Sequence, residues 1–187
     1  MKPYFGWLLA GLLLAGCAST PELNAPLATP AASVQDQAFE TGGRLAVNYQ
    51  GKGEVASFDW QHAPERDQLD VKTPIGNTVA SLSRDRHGVT LKANGKEQYA
   101  ADVETLTEAT LGWPLPLSNL AWWARGHAAP GWPASYADDG RLQQQGWLIR
   151  NTQDADTRLP RRLELEREGM SIRLVFSRWQ WQTEPQP

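Results

Sequence analysis

Val89-Thr90-Leu91-Lys92-Ala93-Asn94-Gly95-Lys96-Glu97-Gln98-Tyr99-Ala100 contains the clearest short-range signal in the chain. Asn94-Gly95 suits a two-residue hairpin whose central residues both need positive φ, and the flanking residues return on each other as strands. Working towards the N-terminus, Thr78 to Ser83 alternates through Val79, or else through Ala80 and Leu82. Asp67 to Thr73 points Leu69 and Val71 one way, and Val55 to Gln61 carries Phe58 and Trp60 on one face. Gly51-Lys52-Gly53 is a turn, preceded by Gly43-Arg44-Leu45-Ala46-Val47-Asn48-Tyr49, with Leu45, Val47 and Tyr49 on one side. Period-two alternation between tight turns predicts an antiparallel meander.

Beyond the hairpin the pattern changes. Asp102 to Leu111 has helical spacing, and Asp102 can cap the first turn. Gly112-Trp113-Pro114-Leu115-Pro116-Leu117 cannot be regular, because two prolines remove donors and fix φ. Ser118 is placed to cap a second short helix through Leu120, Trp122, Trp123 and Ala124, stopped by Gly126. Residues 126–139 read as loop. Strands resume at Arg141–Gln145, Trp147–Asn151, Arg161–Arg167 and Ser171–Arg178. The fold class is therefore mostly β with a helical lid: a curved antiparallel sheet or barrel that closes, or nearly closes, on itself. A chain of 187 residues suits one such domain.

The N-terminus has a different character. Met1-Lys2 is a short basic region, Trp7 to Leu14 is an apolar run too short to span a bilayer, and Leu14-Ala15-Gly16-Cys17 follows. This is a lipobox. It predicts a lipoprotein signal peptide at 1–16 and a diacylglyceryl thioether on Cys17, the single cysteine. Residues 17–37, rich in Ala, Pro, Ser and Thr, then read as the lipidated N-terminus and a flexible tether, with an ordered arm lying on the domain as the alternative, and 38–187 as one β-barrel domain. With the cysteine lipidated no disulfide can form, so packing must supply stability. Alanine rather than aspartate at position 18 points to the outer membrane, the domain facing the periplasm. The formal net charge of −3 and the lack of a basic cluster argue against a nucleic-acid partner.

Catalytic apparatus is not visible: no nucleophile has an evident base, and no phosphate or zinc motif occurs. His62, His87 and His127 read as exposed histidines at strand ends or in loops, without metal-ligand spacing. Nor does any cofactor suggest itself. What is abundant is tryptophan, nine residues in all. Trp113, Trp122 and Trp123 crowd the helical insertion beside Leu111, Leu115, Leu117 and Leu120, which fits either a satellite core or a hydrophobic cavity under a lid. A second anomaly is Lys72-Thr73-Pro74-Ile75-Gly76-Asn77-Thr78, a turn carrying a large aliphatic residue between proline and glycine. Ile75 either folds back onto the core or projects into something apolar outside the protein.

In order along the chain, the lipobox, Gly43-Arg44-Leu45-Ala46-Val47, Phe58-Asp59-Trp60, Thr73 to Thr78, the Gly112 to Trp123 segment, Gly146-Trp147-Leu148-Ile149, Leu159-Pro160 and a last strand ending near Trp179 resemble the LolB family of outer-membrane lipoproteins. The resemblance implies an incomplete antiparallel β-barrel closed by helices around a hydrophobic cavity for acyl chains. It implies a protein, monomeric, that receives lipoproteins from the periplasmic carrier LolA and inserts them among outer-membrane phospholipids. Family members usually carry leucine in the Pro-Leu-Gly loop; here Pro74, Ile75 and Gly76 form the membrane-delivery loop, with similar volume and a stiffer, β-branched side chain. Trp60, Trp113, Leu115, Leu117, Leu120 and Trp123 are the expected cavity and lid residues. A lipid- or small-ligand-binding lipoprotein without transfer activity is the alternative.

Overall fold

A computed structural model describes residues 36–182; the expected signal peptide and most of the expected tether, Cys17 included, lie outside the described residues. Eleven strands form one antiparallel sheet with the order β6-β5-β4-β3-β2-β1-β11-β10-β9-β8-β7. They are β1 (Phe39–Tyr49), β2 (Lys52–Ala63), β3 (Arg66–Lys72), β4 (Thr78–Asp85), β5 (Gly88–Ala93), β6 (Lys96–Ala100), β7 (Ala134–Tyr136), β8 (Leu142–Gln144), β9 (Trp147–Gln153), β10 (Pro160–Arg167) and β11 (Met170–Trp181). Every neighbour in sequence pairs except across the helices, and β1 joins β11 from Phe39↔Trp181 to Tyr49↔Met170. The two halves of the meander are thereby one sheet, with β6 and β7 left as edges, an open barrel.

Two helices, α1 (Val103–Leu111) and α2 (Leu117–Ala124), connect the edges. The first packs on β5 and β6, the second on β9 and β10, and the two touch each other, so they close the concave side that the sheet leaves open. Asp102 caps α1 as its sequence predicts, accepting from the Thr105 N–H at 2.8 Å. Ser118 does not cap α2: it lies inside the helix, whose N-cap is Pro116. Glu104 of α1 lies nearby, and burial, with Asp102 close to it, raises that carboxyl's pKa. The 126–139 stretch is not all loop, because Ala134–Tyr136 pairs with β8 as a short edge strand.

The core runs along the concave face. Phe39, Phe58, Trp60, Leu91, Leu163, Leu165 and Ile172 are among its fully enclosed side chains, joined by Leu117, Leu120 and Trp123 from α2. Phe39 stacks on Trp179 at 4.5 Å and meets Trp60 edge-on at 5.0 Å, filling one end of the barrel with aromatic rings. Gly42 and Gly43 sit at the bulge where the β1–β11 register shifts. A Cβ at Gly43 would lie 1.9 Å from the Val175 carbonyl oxygen, so only glycine admits that approach.

Candidate functional site

The Gln50–Gly51 turn, the Thr73–Asn77 loop and the Asn94–Gly95 turn all lie at one end of the sheet, because β1, β3 and β5 end there and β2, β4 and β6 begin there. Beneath them opens a cavity of about 580 Å³. Its wall is the inward face of five strands (Leu45, Val47, Leu69, Leu82 and Leu91 among others), and its cover is Thr107, Leu111, Trp113 and Leu115 from the helical insertion. A volume of this size is in the range of pockets that enclose most of a small, largely apolar ligand. Alternation produced the wall: residues two apart along each strand face the same way, and the inward ones here are aliphatic.

The cover is held by one threonine. Thr107, fully buried, donates from Oγ1 to the Val103 carbonyl at 2.8 Å and accepts from the Leu115 N–H at 2.8 Å. That bond fixes the proline-broken segment against α1 and turns Leu115 inward, with half-buried Trp113 lining the cavity beside it. Of the six residues expected to line the cavity or lid it, only Trp113 and Leu115 line it. Trp60, Leu117, Leu120 and Trp123 are fully buried side chains that pack elsewhere in the core, and Trp123 donates from Nε1 to Gln144 at 2.8 Å. The tryptophan-rich insertion is therefore both satellite core and cavity cover. The cavity's strand wall was missed at the sequence level, although the alternation of Leu45, Leu69, Leu82 and Leu91 was its visible signal.

Ile75 is 83% exposed. The Gly76 N–H donates to the Thr73 carbonyl at 2.9 Å, closing a β-turn with Pro74 and Ile75 at its centre, and Thr73 N–H donates to the Asn77 carbonyl at 2.8 Å. Asn77 N–H also reaches Thr73 Oγ1 at 3.1 Å. Gly76 has φ of +94°, which a side chain would strain. The loop thus presents Ile75 on a fixed stalk rather than folding it inward. Pro74 belongs to the cavity wall, and Val55, Val79 and Leu111, each exposed, continue an apolar rim around the same mouth. Val79 is the unpaired residue of a bulge opposite Val71/Lys72, so Ala80 and Leu82, not Val79, face the concave side.

The opposite end is polar inside. His62, expected in a loop and exposed, is 5% exposed and lies between two carboxylates. Its Nδ1 is 2.7 Å from Asp67 Oδ1 and its Nε2 is 2.9 Å from Asp36 Oδ1. Burial lowers the imidazole pKa, but hydrogen bonds to Asp36 and Asp67 and their charges outweigh it and leave it raised. Asp67 also accepts from Trp60 Nε1 at 2.9 Å and Arg84 Nε at 2.6 Å, while Arg125, just past α2, reaches Asp36 at 2.7 Å. No sequence motif announces this group, because its members come from five separate segments. His87 is exposed as expected, and His127 is half-buried with its pKa lowered by burial and by Arg125.

Among the described residues no group of three or more His, Cys, Asp or Glu could hold a metal ion, and no helix is long and apolar enough to cross a membrane. Comparison with known proteins shows that the family described as "Outer membrane lipoprotein LolB" matches residues 37–179. A protein named outer-membrane lipoprotein LolB from Chromobacterium violaceum is 49% identical over 92% of this chain and 96% of its own. One of the same name from Neisseria meningitidis is 36% identical over 89% and 85%. Among solved structures, a LolA superfamily protein from Nitrosomonas europaea aligns with 80% of this chain and 88% of its own at 9% identity and a TM-score of 0.38, a distant likeness.

Proposed function

The chain belongs to the LolB family of outer-membrane lipoproteins, and from that premise we propose that it receives lipoproteins from the periplasmic carrier LolA, shields their acyl chains and inserts them into the outer membrane. The observation that carries this reading is an apolar cavity whose mouth bears a projecting isoleucine. Residues 1–16 act as the signal peptide, Cys17 carries the lipid, residues 17–37 tether it, and the domain works as a monomer.

An acyl chain leaving one apolar site for another across water loses about 0.8 kcal/mol per exposed methylene, so transfer needs continuous shielding. The aliphatic strand wall and the Trp113–Leu115 cover provide it. No energy source is needed when the carrier holds the chains least tightly and the bilayer most tightly. Opening the cover breaks the Thr107–Leu115 bond that holds the irregular Gly112–Pro116 segment to α1 and lifts Trp113 and Leu115 from the core. At the bilayer, Ile75 enters the lipid and brings the mouth against it. Full burial of one such side chain contributes about 1.5–3 kcal/mol, enough to orient the domain and too little to anchor it. Anchoring belongs to the lipid on Cys17, where more than one chain is required.

The test is reconstituted transfer. Carrier loaded with a radiolabelled lipoprotein is mixed with the protein in liposomes, and label is followed on carrier, receiver and bilayer. Label should pass to the receiver and then to lipid. Uptake of free lipid with no depletion of the carrier complex would leave a lipid-binding protein without transfer.

A further inference from the structure

The polar group around His62 lies at the end of the barrel opposite the cavity mouth, and it holds the residue at which the N-terminal segment joins the domain. Asp36 accepts from His62 and from Arg125, at 2.9 and 2.7 Å, three residues before β1 begins. His62 faces Asp36 and Asp67, with Arg84 on the far side of Asp67 and the Phe39 ring 4.8 Å away. Phe39 pairs with His62 and Trp181, which places this end at the Pro64–Glu65 turn; the mouth is at the Gln50, Thr73–Asn77 and Asn94 turns. Strands of this length put the two ends roughly 30 Å apart at about 3.3 Å per residue.

We propose that Asp36, clamped by His62 and Arg125, fixes the point where the N-terminal segment leaves the domain at the closed end of the barrel, so that the number of residues between Cys17 and Asp36 limits how far Ile75 can reach towards the bilayer holding Cys17. The inference rests on the anchoring and delivery roles given above. Asp36 and the cavity mouth lie at opposite ends of the barrel, and the length of residues 17–36 sets the reach between Cys17 and the mouth. At about 3.4 Å per residue that stretch spans at most about 65 Å, sufficient to pass the length of the barrel. Deleting residues 20–32 leaves about 20 Å, which is not. Freeing Asp36 moves the exit to β1 and adds about 10 Å.

The experiment uses the full lipidated protein in liposomes, with acceptance of cargo and delivery into the host bilayer measured separately. The 20–32 deletion should accept cargo normally and deliver it at least tenfold more slowly. The same deletion with Cys17→Ala, free of the membrane, should deliver like undeleted Cys17→Ala. Replacing residues 20–32 by Gly/Ser residues of equal number should restore delivery, and Asp36→Ala should restore part of it in the deleted chain. Normal delivery by the short anchored form overturns the proposal, as does failure of the Gly/Ser replacement to rescue. An Asp36→Ala change without effect on the short form overturns the clamp. Failure of full-length Cys17→Ala to deliver overturns instead the division between anchor and delivery loop on which the proposal stands.

Discussion

At the scale of single residues, Ile75 and His62 are held for opposite purposes. Ile75 sits at the centre of a turn that exposes it, where apolar area has no use inside the protein. Ile75→Glu should leave folding and cargo acceptance unchanged while delivery to liposomes falls at least tenfold; normal delivery by this variant would remove the role assigned to the loop. His62 is buried between Asp36 and Asp67. Its folded pKa is raised above the ordinary 6.5, so the stability it contributes is complete below that pH and is lost as pH rises through the folded value. Asp36 runs the other way: burial raises its pKa, but bonding to His62 and Arg125 leaves it below the ordinary 3.8. Its contribution is present above that pH and lost as pH falls through the folded value. Thermal melts should therefore show a Tm declining above about pH 6.5 in the parent protein, and a shallower decline in His62→Gln.

Among the elements, the β1–β11 seam joins the two halves of the sheet, and it depends on glycine. Arg178 crosses Gly42 to reach Asp59, which also pairs with Lys72, so one carboxylate links β2 to β3 and β11 over the outer face. Next to it, Gly43 lies too close to the Val175 carbonyl for any Cβ. Gly43→Ala should cost about 3 kcal/mol or more, because the obstacle is backbone that must move with its ladder. Chemical denaturation checks this, with an unchanged m-value and a lower midpoint. The helical insertion depends on Thr107. Thr107→Val keeps the shape but orphans the buried Leu115 N–H, at about 1–3 kcal/mol. The cover should loosen with it, visible as faster amide exchange over residues 112–116 and greater accessibility of Trp113 to a quencher.

For the molecule as a whole, the proposed function assigns holding, shielding and delivery to separate parts. The closed end is filled by aromatic rings and a charged group, the open end by an apolar cavity and its rim. Cys17→Ala should yield a soluble protein that still takes cargo from its carrier, measurable as a stable complex by gel filtration; loss of uptake would mean that the anchor takes part in receipt.

Sequence alone determined the antiparallel meander, the interrupting helices, the Asp102 cap and the family, because these follow from period-two alternation, glycine and proline placement, and local motifs. It also singled out Ile75, since an aliphatic residue between Pro74 and Gly76 conflicts with turn chemistry. Which way Ile75 points was decided only by the fold, through the Thr73–Asn77 bonds. Tertiary structure likewise divided the lid residues, leaving Trp113 and Leu115 on the cavity and sending Trp60, Leu117, Leu120 and Trp123 into the core. Hydrophobicity is the same in both settings, and only the curvature of the closed sheet determines where space remains. The group of Asp36, His62, Asp67, Arg84 and Arg125 was invisible for a related reason. Each residue is ordinary in its own segment, and its meaning comes from partners that lie far away in the chain and meet only when β1, β2, β3, β4 and α2 converge at one end of the barrel.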